Sequence, residues 1–202
     1  MKPATSFVVA ALLLVSTADQ GDWRADGPLQ VGGAHVGISL WAPEGHMQSW
    51  SGTFGGLSLC VENGRATIVE VAPLGGFPAD AFTAWVHTVP AGQARKTRLG
   101  SVLGAPPKFD EEYAAGAADF GVFTEPSGHS VDRPCAPDPG DEWDDVEIVV
   151  SVATDRDGAS LPGVVVVYDV AGRRFREHVP GTMIVCGDTT PPQHCRGLAR
   201  WR

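Results

Sequence analysis

The sequence predicts an all-β fold, an antiparallel β-sandwich that is immunoglobulin-like in general architecture. Three observations point there. Apolar residues alternate with polar ones at period two, as where Val146, Ile148, Val150 and Val152 face one way and Glu147 and Ser151 the other. Valine crowds these runs, and a β-branched side chain suits a pleated surface. Gly and Pro, 25 and 16 of them, interrupt the chain too often for helices of ordinary length. The pattern amounts to about eight to ten short strands with almost no helix, and a barrel is the alternative way to close them.

The chain opens as a signal peptide over residues 1–18. Lys2 supplies the positive start, Phe7 to Val15 an apolar stretch, and Ser16-Thr17-Ala18 the small residues for cleavage before Asp19. That apolar stretch is shorter than the roughly 20 residues a membrane span needs. No cysteine lies near Ala18 to carry a lipid. No later run is long and apolar, so the mature chain is expected outside the cytoplasm, secreted or in the cell envelope, with no membrane span after cleavage. Residues 19–34 read as an irregular, Gly-rich lead-in. Residues 35–202 read as one domain, long enough to bury a core without staples.

His35 to Trp41 is the first expected strand, with Val36, Ile38 and Leu40 on one face. A turn-rich connection, APEGHMQSWSGTFGG, follows. Gly56 to Glu62 alternates again, with Leu57, Leu59 and Val61 together. Asn63-Gly64 is the strongest hairpin signal in the chain, and it predicts that Ala66 to Val71 pairs straight back. After a joint at Pro73, Gly75, Gly76 and Pro78, the segment Ala81 to Val89 sets Phe82, Ala84 and Val86 against Thr83, Trp85 and His87. Lys96 to Leu103 and Asp119 to Thr124 read as further strands. Two long loops are expected, 105–118 and 125–143. The first holds DEEYAAGAAD, which fits either one or two helical turns or a loop; the second surrounds Cys135. From Asp144 to Cys186 the sequence reads as a meander. Its breaks fall at 155–162, at Ala171-Gly172 and at Pro180-Gly181.

Four cysteines in an exported chain read as two disulfides. Three pairings are possible. The short, Pro-rich GDTTPPQH loop favours Cys186–Cys195, which leaves Cys60–Cys135. The spacings suit no zinc site. The formal charge of −9 argues against nucleic acid and anionic membrane as partners.

Chemistry is sparse. No GxSxG, HExxH or SxxK motif stands in a suitable place. His129 and Ser130 are adjacent, yet neighbours on a strand point to opposite faces. The six histidines are scattered and share no ligand spacing. Two acidic loops, one with Asp138, Asp141, Glu142, Asp144 and Asp145 around Trp143 and one with Asp155 and Asp157, read as solvated turn residues, with calcium binding as the alternative. No catalytic residue, metal or cofactor follows from any of this. Six Trp against two Tyr is an unusual balance. Trp41, Trp50 and Trp143 lie in or beside turn-rich loops, where an exposed indole would anchor a protein partner or stack on a sugar, and Trp50 and Trp143 are the candidates taken forward.

The segments GLSLCVENGRATIVEVAPLGG and VEIVVSVAT…GVVVVYDVAGRRFREHVPGTMIVC resemble uncharacterised exported, secreted or lipoprotein-like, single-domain β-proteins of high-GC Gram-positive bacteria. The matching positions are Leu59-Cys60 in an early strand and Val185-Cys186 at the end of a last one. The resemblance covers about a third of the chain and implies a secreted or cell-envelope β-domain. This chain departs from the pattern in lacking a cysteine for lipidation.

The functional expectation is a non-catalytic module that binds a protein or an envelope component through its loops, with Trp50 and Trp143 as the ligand-facing residues. Two alternatives stand beside it. One is a secreted hydrolase whose cleft gathers His129 or His87 with a carboxylate and a hydroxyl. The other is a structural part of an envelope assembly, with an exposed apolar face or an open strand edge.

Overall fold

The computed structural model describes residues 26–33, 37–42, 49–91, 99–109, 121–138, 142–187 and 195. The expected signal peptide and the DEEYAAGAAD piece lie outside them. The described residues form twelve strands: β1 (Leu29–Val31), β2 (Ile38–Trp41), β3 (Trp50–Val61), β4 (Ala66–Pro73), β5 (Phe82–Val89), β6 (Ser101–Ala105), β7 (Lys108–Phe109), β8 (Val122–Thr124), β9 (Ser130–Val131), β10 (Asp145–Thr154), β11 (Ala159–Val170) and β12 (Arg173–Cys186). One short 3₁₀ turn, Ala79–Ala81, precedes β5. Among the described residues no helix is long and apolar enough to cross a membrane.

The strands make two sheets around one core. The larger runs β7-β6-β3-β10-β5-β8, with β1 added beside β3; the smaller runs β2-β12-β11-β4-β9. All pairings are antiparallel except β2 with β12, which is parallel. Phe54, Ile148, Val150 and Val86 from the larger sheet meet Ile68, Val166, Tyr168 and Val185 from the smaller. Tyr168 is fully buried and stacks on Phe175 with ring centres 5.4 Å apart. Burial pushes its phenol up to about 12.

The all-β reading holds, and several connections differ from expectation. Asn63-Gly64 does not close a hairpin. β3 is flanked by β1, β6 and β10, and β4 by β9 and β11, so residues 62–65 carry the chain from one sheet to the other. Gly64, at φ 73°, still provides the turn geometry that its dipeptide signals. The C-terminal meander is likewise split: β10 pairs with β3 and β5 in the larger sheet, and only β11 and β12 form a hairpin.

Strands also run longer than the turn residues suggest. β11 passes through Pro162-Gly163 and β12 through Pro180-Gly181. The register slips between Leu161 and Gly163, where Gly163 faces Pro180. A bulge leaves ladder groups unpaired, so a residue without an N–H is tolerated there. β3 begins at Trp50 rather than at Gly56, inside the expected connection. Its glycines serve packing: a β-carbon at Gly52 would press on Leu40, and one at Gly55 would overlap the Leu99 carbonyl oxygen. The expected loop at 105–118 opens with a tight β6–β7 pairing around Pro106-Pro107.

Candidate binding cavity

β10 was expected to bury one face and is buried on both. Its second face carries Glu147, Val149 and Ser151 under a small cluster that includes Leu99, Trp85, Val102, Phe109 and Phe123. Glu147, 3% exposed, is held from three directions. Its Oε2 accepts the Gly56 N–H at 2.6 Å, and its Oε1 accepts the Leu99 N–H at 2.9 Å and lies 2.8 Å from Nδ1 of His87. His87 is 0% exposed, and its ring stacks on Phe123 at 4.4 Å. Thr53 and Ser151 share a hydrogen bond of 2.8 Å on neighbouring strands. This buried network joins β3, β5 and β10 to the segment ahead of β6.

The long loop expected at 125–143 behaves differently. The Cys60–Cys135 disulfide ties it to the end of β3, and Cys186–Cys195 forms the second bridge. Both pairings are the favoured ones, and stable disulfides belong to oxidising compartments. Main-chain bonds reinforce the first tie: Val61 N–H donates to Arg133 O at 2.8 Å and Cys135 N–H to Val61 O at 3.0 Å. Arg133 also pairs with the buried Asp145 at the start of β10. Asp144 Oδ1 accepts the Ala91 N–H at 3.0 Å. The loop is thus fastened to β3 and to β10, and Asp144, just after it, to the end of β5.

Between these fastenings lies a cavity of about 380 Å³. Thr88 lines it from β5, His129 and Ser130 from the start of β9 and the residue before it, Asp132 and Arg133 from the pinned loop, and Glu142, Trp143, Asp144 and Val146 from the entry to β10. Trp143 is 38% exposed and borders the opening, whereas Trp50, at 7%, packs into the core. Trp50 is therefore no loop-borne anchor. The signal that separates the two is its spacing: Trp50, Gly52 and Phe54 alternate inward, and the register shift opposite Ile148 and Val150 restores Leu57, Leu59 and Val61 to the same core.

The cavity brings together residues that the sequence could only name singly. His129 is half-buried, and desolvation lowers its pKa below the ordinary imidazole value despite the opposing charge of Asp132. Its Nδ1 reaches Thr124 Oγ1 at a long 3.4 Å. Among the described residues no hydrogen bond joins His129 to Ser130, to Thr88 or to a carboxylate. His87, the other histidine considered for a cleft, is sealed under Phe123 and lines no part of this cavity. The second acidic loop is a turn: Asp155 Oδ1 accepts the Asp157 N–H at 2.9 Å. A larger, shallower depression of about 540 Å³ lies beside it, between Phe77, Asp80, Thr154 and Ser160, with no histidine, tryptophan or cation among its described lining residues.

No protein-family model matches this sequence, and no curated protein or solved structure matches it either.

Proposed function

We propose that this chain is a non-catalytic, exported β-sandwich module that binds a protein or a cell-envelope component through the loop-built cavity at Trp143. The observation that carries the reading is a half-exposed indole bordering a cavity whose walls are fastened before any ligand arrives. Rigid walls lower the ordering cost of binding, and an exposed Trp on such a support is a good anchor. Two disulfides fit an extracytoplasmic site of action. A sedimentation assay with cell envelopes of a high-GC Gram-positive bacterium tests the reading. The wild-type chain pellets with the envelopes, and Trp143→Ala, with its thermal midpoint unchanged, stays largely in the supernatant. Equal pelleting of the two proteins overturns the proposal.

One observation favours a second reading, a secreted hydrolase: the cavity gathers His129 with Thr88, Ser130 and several carboxylates. Acyl transfer needs a base in contact with its nucleophile, and the described hydrogen bonds of His129 do not provide that contact. Hydrolysis of a simple nitrophenyl ester, lost in His129→Ala, would favour this reading over the first.

A further inference from the structure

We propose that the cavity at Trp143 takes a cationic side chain, the ammonium or guanidinium group of a lysine or arginine presented by a partner protein. The inference rests on the reading of this cavity as a binding site and adds the class of its ligand.

Charge is the first argument. Among the described lining residues, Asp132, Glu142 and Asp144 are acidic and Arg133 is basic. Arg133 is already matched to the buried Asp145, so its charge is spent within the fold. Asp132 faces Arg65 at 3.4 Å, but both side chains are more than half exposed, and such a pair holds its partners weakly in water. Partial burial of His129 disfavours its charged form, with the Asp132 charge opposing. The field of the whole chain has the same sign, with a formal charge of −9. An anionic group would enter against all of these.

Shape and surface are the second argument. Trp143 and the buried Val146 are the large apolar residues of the described lining, beside the carboxylates of Asp132, Glu142 and Asp144. Lysine and arginine side chains have the complementary form, an apolar stem with a charged tip. An indole is the strongest cation–π platform among side chains, and a carboxylate accepts the donors that an ammonium or guanidinium carries. A volume of about 380 Å³ holds one such side chain and no folded segment.

The test uses the full mature chain and blocked tripeptides with a central lysine, a central arginine or a central Nε-acetyl-lysine, with a neutral trisaccharide of N-acetylglucosamine as a further probe. The indole N–H resonance of Trp143, assigned by its absence in Trp143→Phe, reports binding. The lysine and arginine peptides are expected to shift it and to bind about tenfold more tightly than the acetylated peptide. Raising the salt from about 50 to about 300 mM should weaken them several-fold, and Trp143→Ala and Asp132→Asn about fivefold each. Equal binding of the lysine and acetyl-lysine peptides overturns the inference. A shift produced by the trisaccharide alone overturns it too, while leaving the cavity a binding site. If no probe shifts Trp143 but Trp143→Ala still loses envelope binding, only the cationic class falls. If envelope binding is also unchanged, both readings fall.

Discussion

Ala171 occupies the left-handed region at φ 50°, and Gly172 follows it at φ 74°. Together they form the two-residue connection between Val170 and Arg173, where both positions need a positive φ. Glycine takes that conformation freely; an alanine there is strained by about 1–2 kcal/mol. Asparagine tolerates it better, so Ala171→Asn is expected to raise stability by about 0.5–1 kcal/mol. Urea unfolding measures this, and an unchanged or lowered midpoint would contradict it. At this scale the sequence was partly legible. The Ala171-Gly172 turn, the paired cysteines and the exposure of Trp143 follow from local chemistry. The burial of Trp50 does not, because two glycines and a register shift disguise the alternation that places it in the core.

At the scale of elements, Glu147 joins pieces of chain that are distant in sequence. One carboxylate holds the Gly56 N–H of β3, the Leu99 N–H ahead of β6 and the His87 ring of β5. Glu147→Ala leaves buried donors without an acceptor, and the loss is expected to reach about 3–5 kcal/mol. Glu147→Gln keeps an acceptor oxygen and should lose less. Urea midpoints at an unchanged m-value provide the measurement; a loss in Glu147→Ala below about 1 kcal/mol would show that the network does not hold the strands. Alternation along β10 identified Val146, Ile148, Val150 and Val152 as inward-facing, and they are buried in the core. It also assigned Glu147 to an open face. That face is covered by residues near 99–109 and 121–124, whose approach leaves no mark on the period of β10 itself. The same limit explains Asn63-Gly64. A dipeptide encodes the turn, but which strands flank it depends on partners brought from β1, β6, β10 and β11.

For the whole molecule, seven of the eleven connections between successive described strands change sheet, among them the one at residues 62–65 and the one between β10 and β11. Two disulfides lie on this frame with very different reach. Cys60–Cys135 spans a sequence separation of 75, and Cys186–Cys195 one of 9. Closing a longer loop removes more freedom from the unfolded chain, so the first bridge should stabilise by about 4 kcal/mol and the second by about 1–2 kcal/mol less. The paired serine variants, Cys60→Ser with Cys135→Ser and Cys186→Ser with Cys195→Ser, separate the two contributions in urea. Equal losses would mean that native packing, rather than chain entropy, sets the effect. The two variants should differ in function as well. The long-range bridge fastens the loop that carries His129, Asp132 and Arg133 to the end of β3. Without it those walls are free to separate from Trp143, and binding at the cavity has to restore their order at its own cost. Neither cysteine of the short-range bridge is among the described residues that line the cavity. Loss of envelope binding in the Cys60/Cys135 variant, under conditions where both variants remain folded, would tie the cavity to the disulfide; equal binding by both variants would show that the loop holds its shape unaided.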